Sequence, residues 1–440
     1  QWYGHLYKYT LDANGVMSES PKWDAASKLN KKSYSARKVF TVNWKSGSWK
    51  MDFKEDNAST LAPMLGLTQD QAFKFIRWAL GSDEWDEALE SDERYKLGDI
   101  YHSGLVEIGP PRGSNPHGVY RKFKETHAGR EKLVYVQAND GMLHAFEAET
   151  GEEKWAFIPP NVLAEGRMTG MKQDITVSGN TTTVTWLDKA KSNPRYLLDG
   201  TMTAEDVLID GAYHTVLLGL LGYAGPGFYA LDVTDPDKPQ FMWAVENVIY
   251  NHTGDELLSN KNTEWYVSYW ARSGDSAART NTLHEDITDS SDLNYKAMRF
   301  TLSTPGIGYV SLYQGQNQPL KTQWVAIMGN GSKMGIDDAS SVASVYVINI
   351  ENGKLLKVLG GSSMKQIVTP AAILWTGSTR LVKYFYVGDD NGKIYEGDLT
   401  NSQPSEWKIR GVFYIQDSDI QDSVGPSYIL DCAYIDRNKW

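Results

Sequence analysis

The eight histidines are the side chains of this chain that could act as general bases or metal ligands. They lie at His5, His102, His117, His127, His144, His214, His252 and His284. None has HxxxH or HxH spacing, and the chain contains no GxSxG, HExxH or phosphate-binding loop motif. His144 falls in a strand-like repeat, so we interpret it as a partly buried structural histidine. The sequence predicts no catalytic residue and no cofactor-binding residue, and hence no enzyme.

Calcium binding is the other chemistry to weigh, because carboxylates at alternate positions form calcium loops. Asp389–Asp398 is better explained by its Asn-Gly hairpin turn, and Asp286–Asn294 is a polar loop. The string DSDIQD, with Asp417, Asp419 and Asp422, lacks the glycine and closing glutamate of an EF-type loop. We favour a solvated loop or turn for each, and we predict no metal site. Asp417, Asp419 and Asp422 are the remaining calcium candidates.

Composition excludes several classes of partner. The 440 residues carry a net charge of −11 with both signs interspersed, which argues against a nucleic-acid-binding face. No run of about eighteen apolar residues is present, so we expect no transmembrane segment. The single cysteine, Cys432, excludes an intramolecular disulfide. Because the chain begins with Gln1 rather than Met, we expect it to be a portion of a longer protein.

A repeated hairpin unit must supply the scaffold. Its clearest copy is NDGMLHAFEAETGEEKW at 139–155, and degraded copies begin at Gly4, Gly227, Ser344 and Gly392. Alternating aromatic and aliphatic residues around a Thr-Gly, Asn-Gly or Asp-Pro turn are typical of a β-hairpin. Most copies follow another short apolar strand, so each unit is a three- or four-stranded meander that needs neighbours to bury its faces. The repeats predict an all-β fold, a β-propeller with six or seven blades.

Long inter-strand loops and a small helical insertion interrupt the repeats. The stretch 251–296 reads as an extended polar loop, and 161–192 as another insertion. Thr68 and Gln71 form a capping-box pattern before a helical run that ends at Gly81, and a second short helix is predicted at 84–90. We place the helical insertion at about 54–98 in a single propeller domain spanning 1–440. We also expect strands from the two chain ends to share a blade.

Two resemblances narrow this interpretation. The string AFEAETGEEKW resembles the AxDxxTGxxxW repeat of quinoprotein-type propellers, whose tryptophans dock one blade onto the next. A longer series resembles, in the same order, the C-terminal domain of the PilC/PilY-type proteins of type IV pili, and the helix ending at Gly81 matches that family's helical insertion. The matching stretches are Tyr95–Pro111, Val134–Leu163, Arg195–Val207, Gly219–Pro239, Trp324–Gly331, Thr369–Ala372 and Val387–Leu399.

The second resemblance implies a modified β-propeller of the quinoprotein-like type, the C-terminal part of a larger protein. It implies a non-catalytic pilus biogenesis or tip protein that supports pilus extension, twitching motility and adhesion. Implied partners are minor pilins and host-cell or abiotic surfaces, reached by transit through the outer-membrane secretin. The implied location is extracellular, at the pilus tip or outer-membrane surface of a Gram-negative bacterium. A quinoprotein-type enzyme and an outer-membrane assembly scaffold similar to BamB are the alternatives.

One departure from that family concerns calcium. Many members carry a calcium loop directly after the TPAA stretch, and the matching residues here are Ile373–Tyr386, with the sequence ILWTGSTRLVKYFY. They contain no carboxylate, and a hard divalent cation is not held tightly without charged oxygen ligands. We therefore expect no calcium at this position and no other cofactor.

Overall fold

Strands make up most of the computed structural model. It describes residues 3–44, 48–83, 93–113, 118–178, 181–186, 194–248, 266–273, 281–287, 292–332, 343–361, 364–375 and 379–414. The strands are β1 (Tyr7–Lys8), β2 (Trp23–Asp24), β3 (Val39–Asn43), β4 (Ser48–Asp52), β5 (Val106–Ile108), β6 (Leu133–Gln137), β7 (Leu143–Glu147), β8 (Glu153–Phe157), β9 (Gln173–Ser178), β10 (Thr181–Trp186), β11 (Met202–Ile209), β12 (Ala212–Leu220), β13 (Gly227–Asp232), β14 (Gln240–Val248), β15 (Tyr266–Ser273), β16 (Asn281–Ile287), β17 (Gly306–Leu312), β18 (Lys321–Gly329), β19 (Ser344–Asn349), β20 (Leu355–Gly360), β21 (Ala372–Trp375), β22 (Val382–Gly388), β23 (Lys393–Asp398) and β24 (Lys408–Tyr414).

Helices are fewer and short. The α-helices are α1 (Ala25–Lys31), α2 (Ala58–Leu65), α3 (Gln69–Leu80), α4 (Gly118–Thr126) and α5 (Pro160–Leu163). Single 3₁₀ turns cover Tyr34–Ala36, Glu55–Asn57, Ala164–Gly166, Thr169–Lys172 and Pro404–Glu406. No helix in the described stretches is both long and apolar enough to cross a membrane.

Four antiparallel meanders form the body of the molecule. Blade I consists of β5–β8, blade II of β11–β14, blade III of β17–β20 and blade IV of β21–β24, each paired in chain order. The first strands of successive blades contact one another in the order β5, β11, β17 and β21. Blades that share such a central row radiate from a common axis, which confirms the predicted propeller. The described stretches contain these four blades and a partial N-terminal unit, so six or seven blades are not reached within them.

The apolar core lies between neighbouring blades rather than within one of them. In β18, Trp324 and Met328 pack toward blade II, whereas Val325 and Ile327 pack toward blade IV. Successive side chains of a strand point to opposite faces, so a strand buried on both faces reads as a continuous apolar run. The segment WVAIM at 324–328 is such a run. Each blade therefore depends on its neighbours to bury its apolar surface.

Tryptophans dock the N-terminal unit, blade I and blade II onto the blade that follows each of them, as the quinoprotein-type resemblance predicts. In every case an indole N–H donates to a carbonyl oxygen at the turn between the third and fourth strands of the following blade. The N-terminal unit, which consists of β1, β2 and a bridge between Leu11 and Met17, supplies the first of them. The bonds are Trp23 Nε1 to Ala148 O (3.3 Å), Trp155 Nε1 to Pro236 O (2.9 Å) and Trp243 Nε1 to Ile350 O (2.8 Å).

Two hairpins extend the rims of blades I and II. Strands β15 and β16 continue blade II outward, β3 pairs in parallel with β8, and β4 pairs with β16 at a single position. The prediction of an extended loop over 251–296 is therefore wrong for Tyr266–Ser273 and Asn281–Ile287. Polar residues on either side concealed the alternating pattern YVSYW, which is a strand signal.

The helical insertion contains α2 and α3, and α3 has the predicted capping box. Thr68 Oγ1 accepts a hydrogen bond from the Gln71 N–H at 3.3 Å, and Gln71 Oε1 accepts one from the Thr68 N–H at 3.0 Å. The sequence patterns do not predict helices α1, α4 and α5. The predicted helix at 84–90 and the C-terminal residues predicted to share a blade lie outside the described residues. That 1–440 is one domain stays a prediction.

Substituting the turn glycine beneath Trp243 tests the docking contact. Gly353 has φ +72°, and a Cβ built there lies 2.6 Å from the Trp243 ring, whereas Gly211 has φ +81° with nothing within 4 Å. Gly211→Ala should cost about 1–2 kcal/mol for the left-handed backbone alone, and Gly353→Ala should cost clearly more because the ring must also move. Urea unfolding of both variants measures the difference. Equal losses would show that the ring is not held against this turn.

Candidate functional site

At one end of the propeller lie two kinds of segment from each blade: the segment that leads into the first strand, and the turn between the second and third strands. We call this end the top face; its lead-in segments are 97–105, 194–201, 299–305 and 364–371, and its turns are 138–142, 221–226, 330–332 and 389–392. In every blade a backbone hydrogen bond joins lead-in segment and turn. The four bonds are Asn139 N to Asp99 O, Asp199 N to Leu221 O, Arg299 N to Asn330 O and Asp390 N to Gln366 O.

Other bonds join these turns from blade to blade. The Leu197 N–H donates to Asn139 Oδ1 between blades I and II, and the Gly222 N–H donates to Thr301 Oγ1 between blades II and III. The Gly331 N–H donates to Ile367 O between blades III and IV. The described parts of the top face are therefore joined by hydrogen bonds from blade I to blade IV.

A buried charge network lies beneath this face in blade I. Arg37 and Glu153 form a two-point ion pair at 2.8 and 3.0 Å, with both side chains fully buried. His144 Nδ1 lies 2.8 Å from Glu153 Oε1, and His144 Nε2 lies 3.1 Å from Asp140 Oδ2. The network thus contains two cationic and two anionic side chains, each with a hydrogen-bonded partner, as buried charges require.

The charges in this network set one another's ionisation. Burial alone would lower the pKa of His144, but the Asp140 and Glu153 carboxylates outweigh it and raise the pKa to about 9. Burial would raise the pKa of Glu153, yet Arg37 and His144 hold it well below its ordinary value. Because both ring nitrogens of His144 are engaged and no solvent reaches them, His144 is a structural imidazolium. The structural interpretation is confirmed, although the residue is fully rather than partly buried.

Three further histidines pair with carboxylates nearer the surface. His102 Nδ1 lies 2.6 Å from Asp199 Oδ2, and the Asp199 side chain is fully buried while that of His102 is 40% exposed. The other two pairs are His214 with Asp232 (2.8 Å) and His5 with Asp24 (3.0 Å). A carboxylate that holds one ring nitrogen orients the other, which is how bases and metal ligands are positioned. The described residues nevertheless contain no group of three or more His, Cys, Asp or Glu that could hold a metal ion.

Sequence spacing could not reveal the His102–Asp199 pair. The partners are 97 residues apart and come from lead-in segments of different blades. Only the radial stacking of the blades brings them together, so no local motif signals the contact.

In two of the acidic strings considered for calcium, one described carboxylate makes contacts within the chain. Asp389 Oδ1 accepts from the Asn391 and Lys393 N–H groups, and its Oδ2 accepts from the Tyr395 hydroxyl, which confirms the hairpin-turn interpretation. Asp292 forms an ion pair with Lys354 at 2.7 Å. Asp417, Asp419 and Asp422 lie outside the described residues.

The stretch Ile373–Tyr386, which has no carboxylate in its sequence, contains the cation Arg380. Its Arg380 guanidinium lies 4.0 Å from the centre of the Trp375 ring, and Nη2 lies 2.8 Å from Glu205 Oε2 on the innermost strand of blade II. The Arg380 carbonyl also accepts the Tyr309 N–H of blade III at 2.9 Å. A guanidinium repels a second cation that comes near it.

Comparison with known proteins agrees with the resemblance seen in the sequence. Residues 97–263 match the family described as the PilY1 beta-propeller domain. The chain is 26% identical over 449 aligned residues to the type IV pilus biogenesis factor PilY1 of Pseudomonas aeruginosa (strain UCBPP-PA14), covering 97% of this chain and 31% of that protein. It is 29% identical over 268 residues to a PilY1 homolog of Xylella fastidiosa (strain Temecula1), covering 58% of this chain and 19% of that protein.

Among solved structures, the crystal structure of the P. aeruginosa PilY1 C-terminal domain aligns with 69% of this chain and 51% of that one, at 20% identity and a TM-score of 0.42. A score this low does not support comparison element by element. The family match and the curated relatives confirm the PilY1-type resemblance. The chain spans about a third of the length of the first of these relatives.

The His144 network predicts a specific pH dependence of stability. The folded pKa of about 9 exceeds the ordinary 6.5, so its contribution is complete below pH 6.5 and is lost as the pH rises through 9. In wild type the free energy of unfolding should therefore decline across this window. His144→Gln should lower stability and remove the decline. Urea unfolding at several pH values measures both, and parallel profiles would contradict the assignment of an imidazolium.

Proposed function

We propose that this PilY1-type propeller serves type IV pilus biogenesis as a non-catalytic binding module. It would act at the pilus tip or outer-membrane surface, supporting pilus extension, twitching motility and adhesion. The observation that carries the proposal is the alignment over 97% of the chain with a protein named as a type IV pilus biogenesis factor. Minor pilins are the proposed partners, with host-cell or abiotic surfaces as further ones.

A binding role suits the way the fold uses its residues. The strands are committed to packing between blades, which leaves the loops and turns for partners. The bonded top face offers a surface that is already ordered, and a pre-ordered surface loses less conformational entropy when a partner binds. The charged network in blade I is almost entirely buried, and each of its charges is paired within the chain.

We also propose that Ile373–Tyr386 joins blades without calcium. Arg380 supplies the positive charge that an ion would supply in a calcium loop, and it is fixed on Trp375, Glu205 and the backbone of blade III. The contact spans three blades, because Arg380 belongs to the hairpin between β21 and β22 and Glu205 to β11. Regulation of pilus extension through calcium at this loop is accordingly not expected in this protein.

The pilus proposal is tested in the bacterium that carries the gene. Removing the codons for residues 97–440 from the full-length gene should abolish most surface pili and twitching motility, and the intact gene should restore both. Sheared surface pilin and twitching-zone diameter are the measurements. In parallel, the purified chain should retain minor pilins of the same organism in a pull-down. Normal piliation together with no retained pilin would refute the proposal.

The Arg380 contact makes a separate prediction. Arg380→Ala should lower the free energy of unfolding by about 1–2 kcal/mol, because a cation–π contact and a half-buried ion pair are both lost. Lys383→Ala removes an exposed positive charge from the same hairpin and should change stability by less than about 0.5 kcal/mol.

Calcium should not alter the difference in stability between wild type and Arg380→Ala. Adding calcium chloride or EDTA should shift the melting temperatures of wild type and Arg380→Ala equally. Calorimetric titration with calcium should likewise give the same heat for both proteins. A saturable calcium signal present in wild type and lost in the variant would place a calcium site at this hairpin.

A further inference from the structure

Four aromatic side chains lie together on the top face where blades I and II meet. We call Tyr101, His102, Tyr196 and Tyr223 the aromatic cluster. Ring centres are 4.0 Å apart for Tyr101 and His102, 4.5 Å for His102 and Tyr223, 6.2 Å for Tyr223 and Tyr196, and 6.3 Å for Tyr196 and Tyr101. The four rings therefore form a closed circuit in which each is next to two others.

This cluster is exposed despite its apolar area. Tyr101 is 64% exposed and Tyr196 is 39% exposed. Grouped aromatic rings at a surface mark a place where another molecule binds, because tyrosine is apolar on its faces and polar at its tip. No part of the function proposed above uses these rings.

The segments that carry the cluster are held rigidly. Asn139, in the turn of blade I, accepts from the Leu197 N–H and donates from Nδ2 to Asp99 Oδ2 at 3.0 Å. One amide side chain thus ties the Tyr101 segment to the Tyr196 segment. The Ser103 hydroxyl accepts a hydrogen bond from the Gln137 N–H, which holds the Tyr101 segment at a second point. The rings are placed before any ligand arrives.

The surroundings of the cluster are acidic. Burial raises the pKa of Asp99, and nearby Asp140 and Asp199 raise it further. Burial likewise raises the pKa of the Tyr196 hydroxyl, with Asp199, Tyr101 and Asp99 adding to it. Within the described stretches Asp99 is hydrogen-bonded by the Asn139 amide and has no Lys or Arg ion-pair partner. The neighbouring Arg195 guanidinium packs against Gly170.

Aromatic faces and uncompensated carboxylate charge together select a cation. The negative face of each ring attracts an ammonium or guanidinium group, and a carboxylate beside it adds a charged partner. An anionic group would be repelled at the same place, and a neutral sugar could donate a hydrogen bond to Asp99 but would not neutralise its charge. We propose that the aromatic cluster binds an arginine or lysine side chain of a partner protein, with Tyr101 and Tyr196 supplying ring faces and Asp99 the charge.

Saturation-transfer NMR on the whole chain tests this site without a pilus partner. The probes are the peptide acetyl-Gly-Ser-Arg-Ser-Gly-amide and the same peptide with citrulline, which has the shape of arginine but no charge. The arginine side-chain protons should show saturation with wild type, and the citrulline peptide should show much less. Titration should give an affinity about threefold or more weaker for Tyr101→Ala and for Asp99→Asn.

The matched control is Tyr101→Phe, which keeps the ring and should keep arginine binding. Tyr101 is exposed, so Tyr101→Ala should melt at the wild-type temperature, which separates lost binding from misfolding. Equal signals from both peptides, or an arginine signal unchanged in Tyr101→Ala, would overturn the proposal. Stronger saturation of a disaccharide such as diacetylchitobiose, lost in Tyr101→Ala, would assign the cluster to carbohydrate and overturn it as well. The result does not depend on whether the partner in the cell is a pilin.

Discussion

The contact on which the rest of this structure depends is an indole ring held against the turn of the next blade. A blade of four strands has two apolar faces and cannot cover both, so its position relative to its neighbours must be fixed. Trp243 does this with a ring that fits only because Gly353 lacks a side chain, and with an N–H bond to a carbonyl of the same turn. Trp23 packs over Gly151 in the same way, so the short N-terminal unit docks onto blade I as a full blade would.

The charged network in blade I performs a related task with polar groups. Arg37 comes from the N-terminal segment, donates to the Leu80 carbonyl at the end of α3, and pairs with Glu153 in β8. Asp140 accepts from the Gly98 N–H and so reaches the lead-in segment of the same blade. A buried network is favourable only when every member is satisfied. The helical insertion, the N-terminal segment and blade I are therefore fixed relative to one another by four charges that balance.

The repeats made much of this predictable, because strand alternation and turn residues are local signals. The Thr-Gly turn at 150–151 predicted the hairpin, and Trp155 predicted that one blade docks onto the next. Thr68 and Gln71 predicted α3, because a capping box is also a local signal. Contacts between distant segments could not be predicted from the sequence, because His102 and Asp199 meet only once blades I and II are stacked. The strand Tyr266–Ser273 was missed for a different reason, since the residues on either side of it are polar. The tyrosines of the aromatic cluster are likewise brought together from three separate segments, with no spacing that a motif could capture.

The Arg380 contact and the aromatic cluster, which both lie between blades, differ in where their positive charge comes from. At the hairpin between β21 and β22 the chain supplies its own cation, since Arg380 reaches Glu205 past the first strand of blade III. The guanidinium belongs to the chain itself, so this contact between the inner strands needs no bound ion. On the top face, Asp99 has an amide for a partner and exposed rings beside it. Charge satisfied within the chain serves the scaffold, whereas charge left for a second molecule serves recognition, and the radial order of the blades places each at a seam between blades.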